Sequence, residues 1–140
     1  MARQFLNPPT LPNWSGSFSQ IVIVPPGPSR TVHISGQVAV DPDRLVIGKG
    51  DLAAQCEHAF ANLGTALAAA QAKPADVVRL GIYIVDYRPE QASIIQQALR
   101  KLFVSDDLPA STWLGVQSLA LPDLLIEIEA TAIVPVPAGG

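Results

Sequence analysis

Nine consecutive residues, 77–85 (VVRLGIYIV), constrain the fold of this 140-residue chain more than any other segment. The run is rich in β-branched residues and is bounded by Asp76 and Asp86, so it reads as a strand. Side chains alternate across a strand. Strict alternation puts Val78, Leu80, Ile82 and Ile84 on one face and Val77, Tyr83 and Val85 on the other. A strand apolar on both sides is covered on both sides. Helices of the same chain can cover one face. Little chain is left to cover the other, so the second cover is expected from a neighbouring subunit.

The flanking segments supply the helices. Asp51 is a good N-cap. After it, Leu52, Cys56, Phe60, Leu63, Leu67 and Ala70 recur at helical spacing until Pro74 stops the run. Pro89 opens a second helix, with Ile95, Ala98, Leu99 and Leu102 inward and Arg100 and Lys101 near its end. Strands are expected at 20–24, 30–36, 111–119 and 124–134, with a short one near 4–6. Pro25-Pro26-Gly27-Pro28 reads as the turn of a hairpin joining 20–24 to 30–36. The order is β-β-α-β-α-β-β. It predicts a single α+β domain over 1–140, a mixed sheet with both helices on one face, an extended arm at 1–18 and a frayed tail at 135–140.

Composition excludes several classes of function. Charged residues are only 15% against 49% hydrophobic, which suits an oligomer. Net charge is −3 and the basic residues are scattered, so a nucleic-acid interface is not expected. No apolar run approaches the roughly 18 residues of a membrane span. Residues 1–12 have no apolar signal core, and the expected location is cytoplasmic.

The chemistry-bearing residues are few. There is no G-x-S-x-G motif. Cys56 and His58 lie two apart on a helix and point nearly opposite ways, so they cannot pair within one chain. His33 lies mid-strand between Thr31 and Ser35 and reads as an ordinary polar-face residue. No metal-ligand spacing and no phosphate loop is present, so neither metal nor cofactor is expected. Glu127 and Glu129 share one face of the last strand, opposite Ile126, Ile128 and Ala130, about 7 Å apart. They read either as a solvated strand face or as the border of a cleft. Trp113 shares a face with Ser111 and reads as packing or as the wall of a pocket.

Six segments in order carry a resemblance to a known family. They are Gly16-Ser17-Phe18-Ser19-Gln20, Ile34-Ser35-Gly36-Gln37-Val38 and Gly50-Asp51-Leu52 with Gln55. They continue with Asp76 to Arg79 leading to Tyr83-Ile84-Val85-Asp86, then Pro109-Ala110-Ser111-Thr112 and Ile126-Glu127-Ile128-Glu129-Ala130. Together they resemble the Rid (YjgF) family over roughly residues 16–134. The resemblance implies a chorismate-mutase-like fold packed as a barrel-like homotrimer, with active sites in clefts between subunits. It also implies hydrolysis of imines and enamines of small metabolites, releasing ammonia.

In such deaminases an arginine in P-A-R-[ST] holds the substrate carboxylate, the first Glu of I-E-I-E places the attacking water, and a Tyr in G-P-Y-S-Q and a polar residue of the second helix line the site. Carried over, Glu127 is the catalytic candidate. Phe18, Ser35, Gly36, Gln96, Ser111 and Trp113 are the candidate substrate-binding residues. The arginine position holds Ser111 and the tyrosine position holds Phe18. Loss of a bidentate, charge-assisted clamp costs on the order of 10²–10⁴ in affinity or rate. Arg30, Arg79 and Arg88 are the cations left to replace it. Two functions are expected from this pattern: a hydrolase for a small imine, enamine or amide with weak 2-iminobutanoate deamination, or a non-catalytic trimer that binds a metabolite or a partner. An endoribonuclease fits poorly with the acidic charge balance.

Overall fold

The computed structural model describes residues 3–137. The central element is a four-stranded mixed sheet in the order β3-β6-β4-β5, formed by Ser29–Val38, Ile126–Pro135, Val77–Val85 and Ala110–Val116. β6 runs antiparallel to both β3 and β4, and β4 runs parallel to β5. A parallel pair needs a crossover. Helix α2 (Ala92–Leu102) supplies it, and α1 (Leu52–Ala69) links β3 to β4. Both helices pack on the same face of the sheet. Cys56, Phe60, Leu63 and Leu67 of α1 and Ile95 and Leu99 of α2 share one core with Leu80, Ile82, Ile84, Ile126 and Ile128. This is the α+β, two-helices-on-one-face architecture the sequence predicts.

The helix ends follow their local chemistry. The Asp51 carboxylate accepts from the Ala54 N–H at 3.1 Å, capping α1. At the other end, the Arg30 guanidinium donates to the Ala70 and Gln71 carbonyls, both at 2.9 Å. A single 3₁₀ turn at Pro89–Gln91 leads into α2, so the proline starts a tighter turn rather than the α-helix itself.

Three expectations need correction. Residues 21–23 form β2, but β2 does not pair with β3. It pairs antiparallel with β1 (Gln4–Leu6), Phe5 opposite Val22, as a separate two-stranded ribbon. The loop with three prolines is no tight hairpin turn, and β3 instead takes β6 as its partner from Ser29↔Pro135 onward. β1 is the short strand expected near 4–6. The tail is ordered through β6 at Pro135, and the Val136 N–H donates to the Pro28 carbonyl at 3.1 Å. The rest of the tail, 138–140, and the first two residues of the arm lie outside the described residues.

The third correction concerns β4. Its register against β6 shifts between Val77 and Arg79, a β-bulge. An extra residue reverses the alternation on one side of it. Val77, at 1% exposure, joins Leu80, Ile82 and Ile84 in the core, and Val78 does not. The opposite face then carries Arg79, Gly81, Tyr83 and Val85. Tyr83 and Val85 stay on that face beside Arg79 and Gly81, so Val77 is the apolar residue that moves from it to the core.

Candidate functional site

The face of the sheet away from the helices is where Glu127 lies. Its neighbours across the ladders are Val38 on β3 and Tyr83 on β4. β3 has its own bulge, between Ile34 and Gln37, which sets Ser35 and Gly36 against β6. A Cβ placed on Gly36 would stand 1.7 Å from Glu127 Oε2 and 2.5 Å from its Cδ. The Glu127 carboxylate therefore lies directly over the glycine backbone, in space that only a missing side chain leaves open. Among the described residues no hydrogen bond or ion pair occupies that carboxylate. Gly36 and Glu127 are thus in direct contact, with Ser35 beside Gly36 on β3.

Glu129, two residues on, is committed. Its Oε1 accepts from the Tyr83 hydroxyl at 2.6 Å. Gly81 makes room for the pair, because a Cβ there would meet Glu129 Oε1 at 2.7 Å and the Tyr83 hydroxyl at 3.1 Å. On the same face Arg79 Nη2 donates to Thr112 Oγ1 at 2.6 Å. A depression of about 210 Å³ lined by His33, Arg79, Gly81, Glu129 and Thr131 adjoins this pair. Arg79, Tyr83 and Thr112 are absent from the sequence-derived site. Their gathering depends on β4 lying between β6 and β5, and strand order is not written in the pattern of any single strand.

The hydrogen bond to Glu129 raises the Tyr83 pKa above its ordinary value, with burial and the Glu129 charge adding and Arg79 opposing. A raised folded-state pKa means that the native chain holds this proton more tightly than the unfolded chain. The stabilisation is complete below the ordinary tyrosine pKa of about 10 and is lost as pH rises through the folded value. Tyr83→Phe removes the proton. Its denaturation midpoint is expected to sit below that of the wild type at pH 8, with the gap closing above about pH 10. A gap constant from pH 8 to 11 in urea titrations would contradict the coupling.

The second group lies at the sheet edge. Ser111 and Trp113 of β5 stand opposite Leu80 and Ile82 of β4, so they point to the helix side, and Trp113 packs against the core. Ser19 forms a parallel bridge with Ala110, and its N–H donates to the Pro109 carbonyl at 3.2 Å, which lays the arm beside β5. Phe18 stacks on Trp14, ring centroids 6.2 Å apart. Gln96 Nε2 donates to the Gly16 carbonyl at 2.9 Å and pins the turn to α2. The turn carrying Phe18 is thus tied to Gln96 on one side and to the start of β5, next to Ser111, on the other. Ser111 Oγ and Trp113 Nε1 are buried without a hydrogen-bond partner among the described residues. Each such orphan costs about 1–3 kcal/mol.

The two groups do not meet within one chain. β4 separates β5 from β6, about 10 Å in strand spacings, and Ser111 and Glu127 point to opposite faces. The three arginines weighed as substitutes for the missing clamp are all engaged: Arg30 at the end of α1, Arg79 with Thr112 on the far face and Arg88 with Asp86 at 3.7 Å. Cys56 is no nucleophile, because burial, aided by the charge of Glu57, pushes its thiol up to about 12. Among the described residues no group of three or more His, Cys, Asp or Glu is placed to hold a metal, and no helix is long and apolar enough to cross a membrane.

Known proteins share this framework. The family model described as Endoribonuclease L-PSP matches residues 10–134. A human 2-iminobutanoate/2-iminopropanoate deaminase is 31% identical over 134 residues, 95% of this chain and 91% of that protein. The crystal structure of YyfB from Yersinia pestis, a protein of unknown function of the conserved Rid family, superposes with a TM-score of 0.87 at 43% identity, covering 96% of this chain and all of that one. Rv2704 from Mycobacterium tuberculosis, of the YjgF/YER057c/UK114 family, gives 0.61 at 27% identity over 95% of this chain and all of its own.

Proposed function

The chain belongs to the Endoribonuclease L-PSP (YjgF/Rid) family, and on that premise we propose that it hydrolyses a small imine, enamine or amide whose recognised end carries no carboxylate. The observation that carries the reading is the Glu127 carboxylate, held over Gly36 and free of any partner among the described residues. A carboxylate so placed can accept a proton from water as the water adds to an imine carbon. That proton passes to the nitrogen to give a carbinolamine; the new hydroxyl then gives up its own proton, which the carboxylate relays to the nitrogen as the C–N bond breaks, so ammonia leaves and a carbonyl remains. The two half-sites point to opposite faces of one sheet, so catalysis requires that Glu127 of one subunit meet Ser111 of another. A homotrimer supplies that arrangement. Light scattering is expected to give three times the 14.8 kDa chain mass.

Ser111 stands where family deaminases place the carboxylate-binding arginine. Ammonia release from 2-iminobutanoate is therefore expected near background, with a carboxylate-free imine of the same length turned over above it. Ser111→Arg should raise 2-iminobutanoate turnover about 10²-fold by restoring the charged pair. Wild-type turnover matching the deaminases would refute the reading. The replacement of both Arg and Tyr, by Ser111 and Phe18, favours a second reading: a trimer that binds a metabolite without converting it. Under that reading no imine is hydrolysed, and Glu127→Gln alters binding alone.

A further inference from the structure

Trp113 is more than a wall of the pocket. We propose that its indole N–H and the Ser111 hydroxyl together form a dry, uncharged subsite that binds the carbonyl oxygen of a neutral amide- or ketone-type ligand. This rests on the hydrolase reading for the location of the cleft but concerns recognition alone. The two atoms are the buried side-chain polar atoms without a hydrogen-bond partner among the described residues. They lie two residues apart on one face of the edge strand, about 7 Å between Cβ positions.

The donor chemistry sets the ligand class. An indole N–H donates and never accepts, so the group it meets must be an acceptor, which excludes an ammonium group there. A serine hydroxyl rotates to donate to the same group. Neither carries charge. Arg30 and Arg79 are bonded elsewhere and Arg88 lies out in solvent beside Asp86, so a carboxylate buried here would suffer a heavy desolvation penalty. A carbonyl oxygen carries no such penalty. Shielding from water strengthens a bond once made. The Trp14–Phe18 turn lies beside β5 at this edge. The Gln96 bond to Gly16 and the Ser19 bond to Pro109 hold it.

The test is a binding measurement on the assembled protein with two probes of one skeleton, 2-oxobutanamide and 2-oxobutanoate. Heteronuclear NMR of ¹⁵N-tryptophan-labelled protein resolves the indoles of Trp14 and Trp113, assigned with Trp14→Phe, a change at an exposed residue. The amide is expected to shift the Trp113 indole N–H and to bind at least tenfold tighter than the carboxylate. Ser111→Ala and Trp113→Phe should each weaken the amide about tenfold and leave the carboxylate unchanged. The wild-type spectrum needs no variant, so a packing defect in Trp113→Phe does not decide the outcome. Equal or tighter binding of 2-oxobutanoate, or an unmoved indole signal at saturation, overturns the subsite. The amide should still bind to Glu127→Gln protein, which separates failure of recognition from failure of hydrolysis.

Discussion

Gln55→Ala is expected to lower the unfolding free energy by about 3–5 kcal/mol, several times what the loss of an exposed polar group costs. Gln55 is fully buried in the first turn of α1. Its Nε2 donates to the Gly48 carbonyl at 3.2 Å and to the Asp123 carbonyl at 2.8 Å. Its Oε1 accepts from the Leu125 N–H at 2.8 Å. One side chain thus ties the loop before α1 to the chain entering β6, the strand that carries Glu127. Alanine strands three backbone groups away from water, each costing about 1–3 kcal/mol. Gln55→Glu should be no milder, because it faces two carbonyl oxygens with a carboxylate. Asp51→Ala, which removes only an exposed cap, should cost about 1 kcal/mol. Urea denaturation of the three variants gives the ranking, and a Gln55→Ala loss below that of Asp51→Ala would show that the strapped loops stand without it.

The contrast between Gln55 and β4 shows what a sequence discloses. Helical spacing locates α1 and α2 because each is set by local chemistry: an Asp51 cap, an apolar stripe, a proline stop. The alternation of Glu127 and Glu129 against Ile126 and Ile128 reads correctly for the same reason, since no bulge interrupts it. Val77 reads wrongly because one inserted residue reverses the faces, and nothing in VVR marks the insertion. The 21–23 strand is legible, but its partner is not, because pairing is decided by what else competes for β3. β6 wins that competition from Ser29 to Val38. The Tyr83–Glu129 and Arg79–Thr112 pairs are invisible for the same cause: they form only once β6 lies beside β4 and β5 lies beyond it. The resemblance to the Rid family assigns Glu127, Gly36 and Ser111 their places, yet it does not show that Ser111 and Glu127 point to opposite faces. Register and strand order decide that, and under the proposed reaction it makes a second subunit part of the site.

Glu127 and Gly36 should behave as one unit in kinetics. If a neutral imine is hydrolysed as proposed, Glu127→Gln removes the proton acceptor and is expected to cost about 10²-fold or more in kcat, the usual worth of a positioned base. Gly36→Ala leaves the carboxylate in the chain but sets a methyl group 1.7 Å from where its Oε2 now lies. Glu127 is a flexible side chain and Gly36 has no left-handed φ that alanine would resent, so the clash resolves by swinging the carboxylate away. The cost in folding should stay within about 1 kcal/mol, while kcat falls about as far as in Glu127→Gln, because a base displaced by an ångström loses its geometry. Two substitutions that disable the same group do not add. The double variant should be no slower than Glu127→Gln alone. Circular dichroism, light scattering and kcat on the four proteins read the cycle. Multiplicative losses would show that Gly36 contributes by a route other than seating Glu127, such as direct contact with substrate. Full activity in Gly36→Ala would show that the observed carboxylate position is not the one that works.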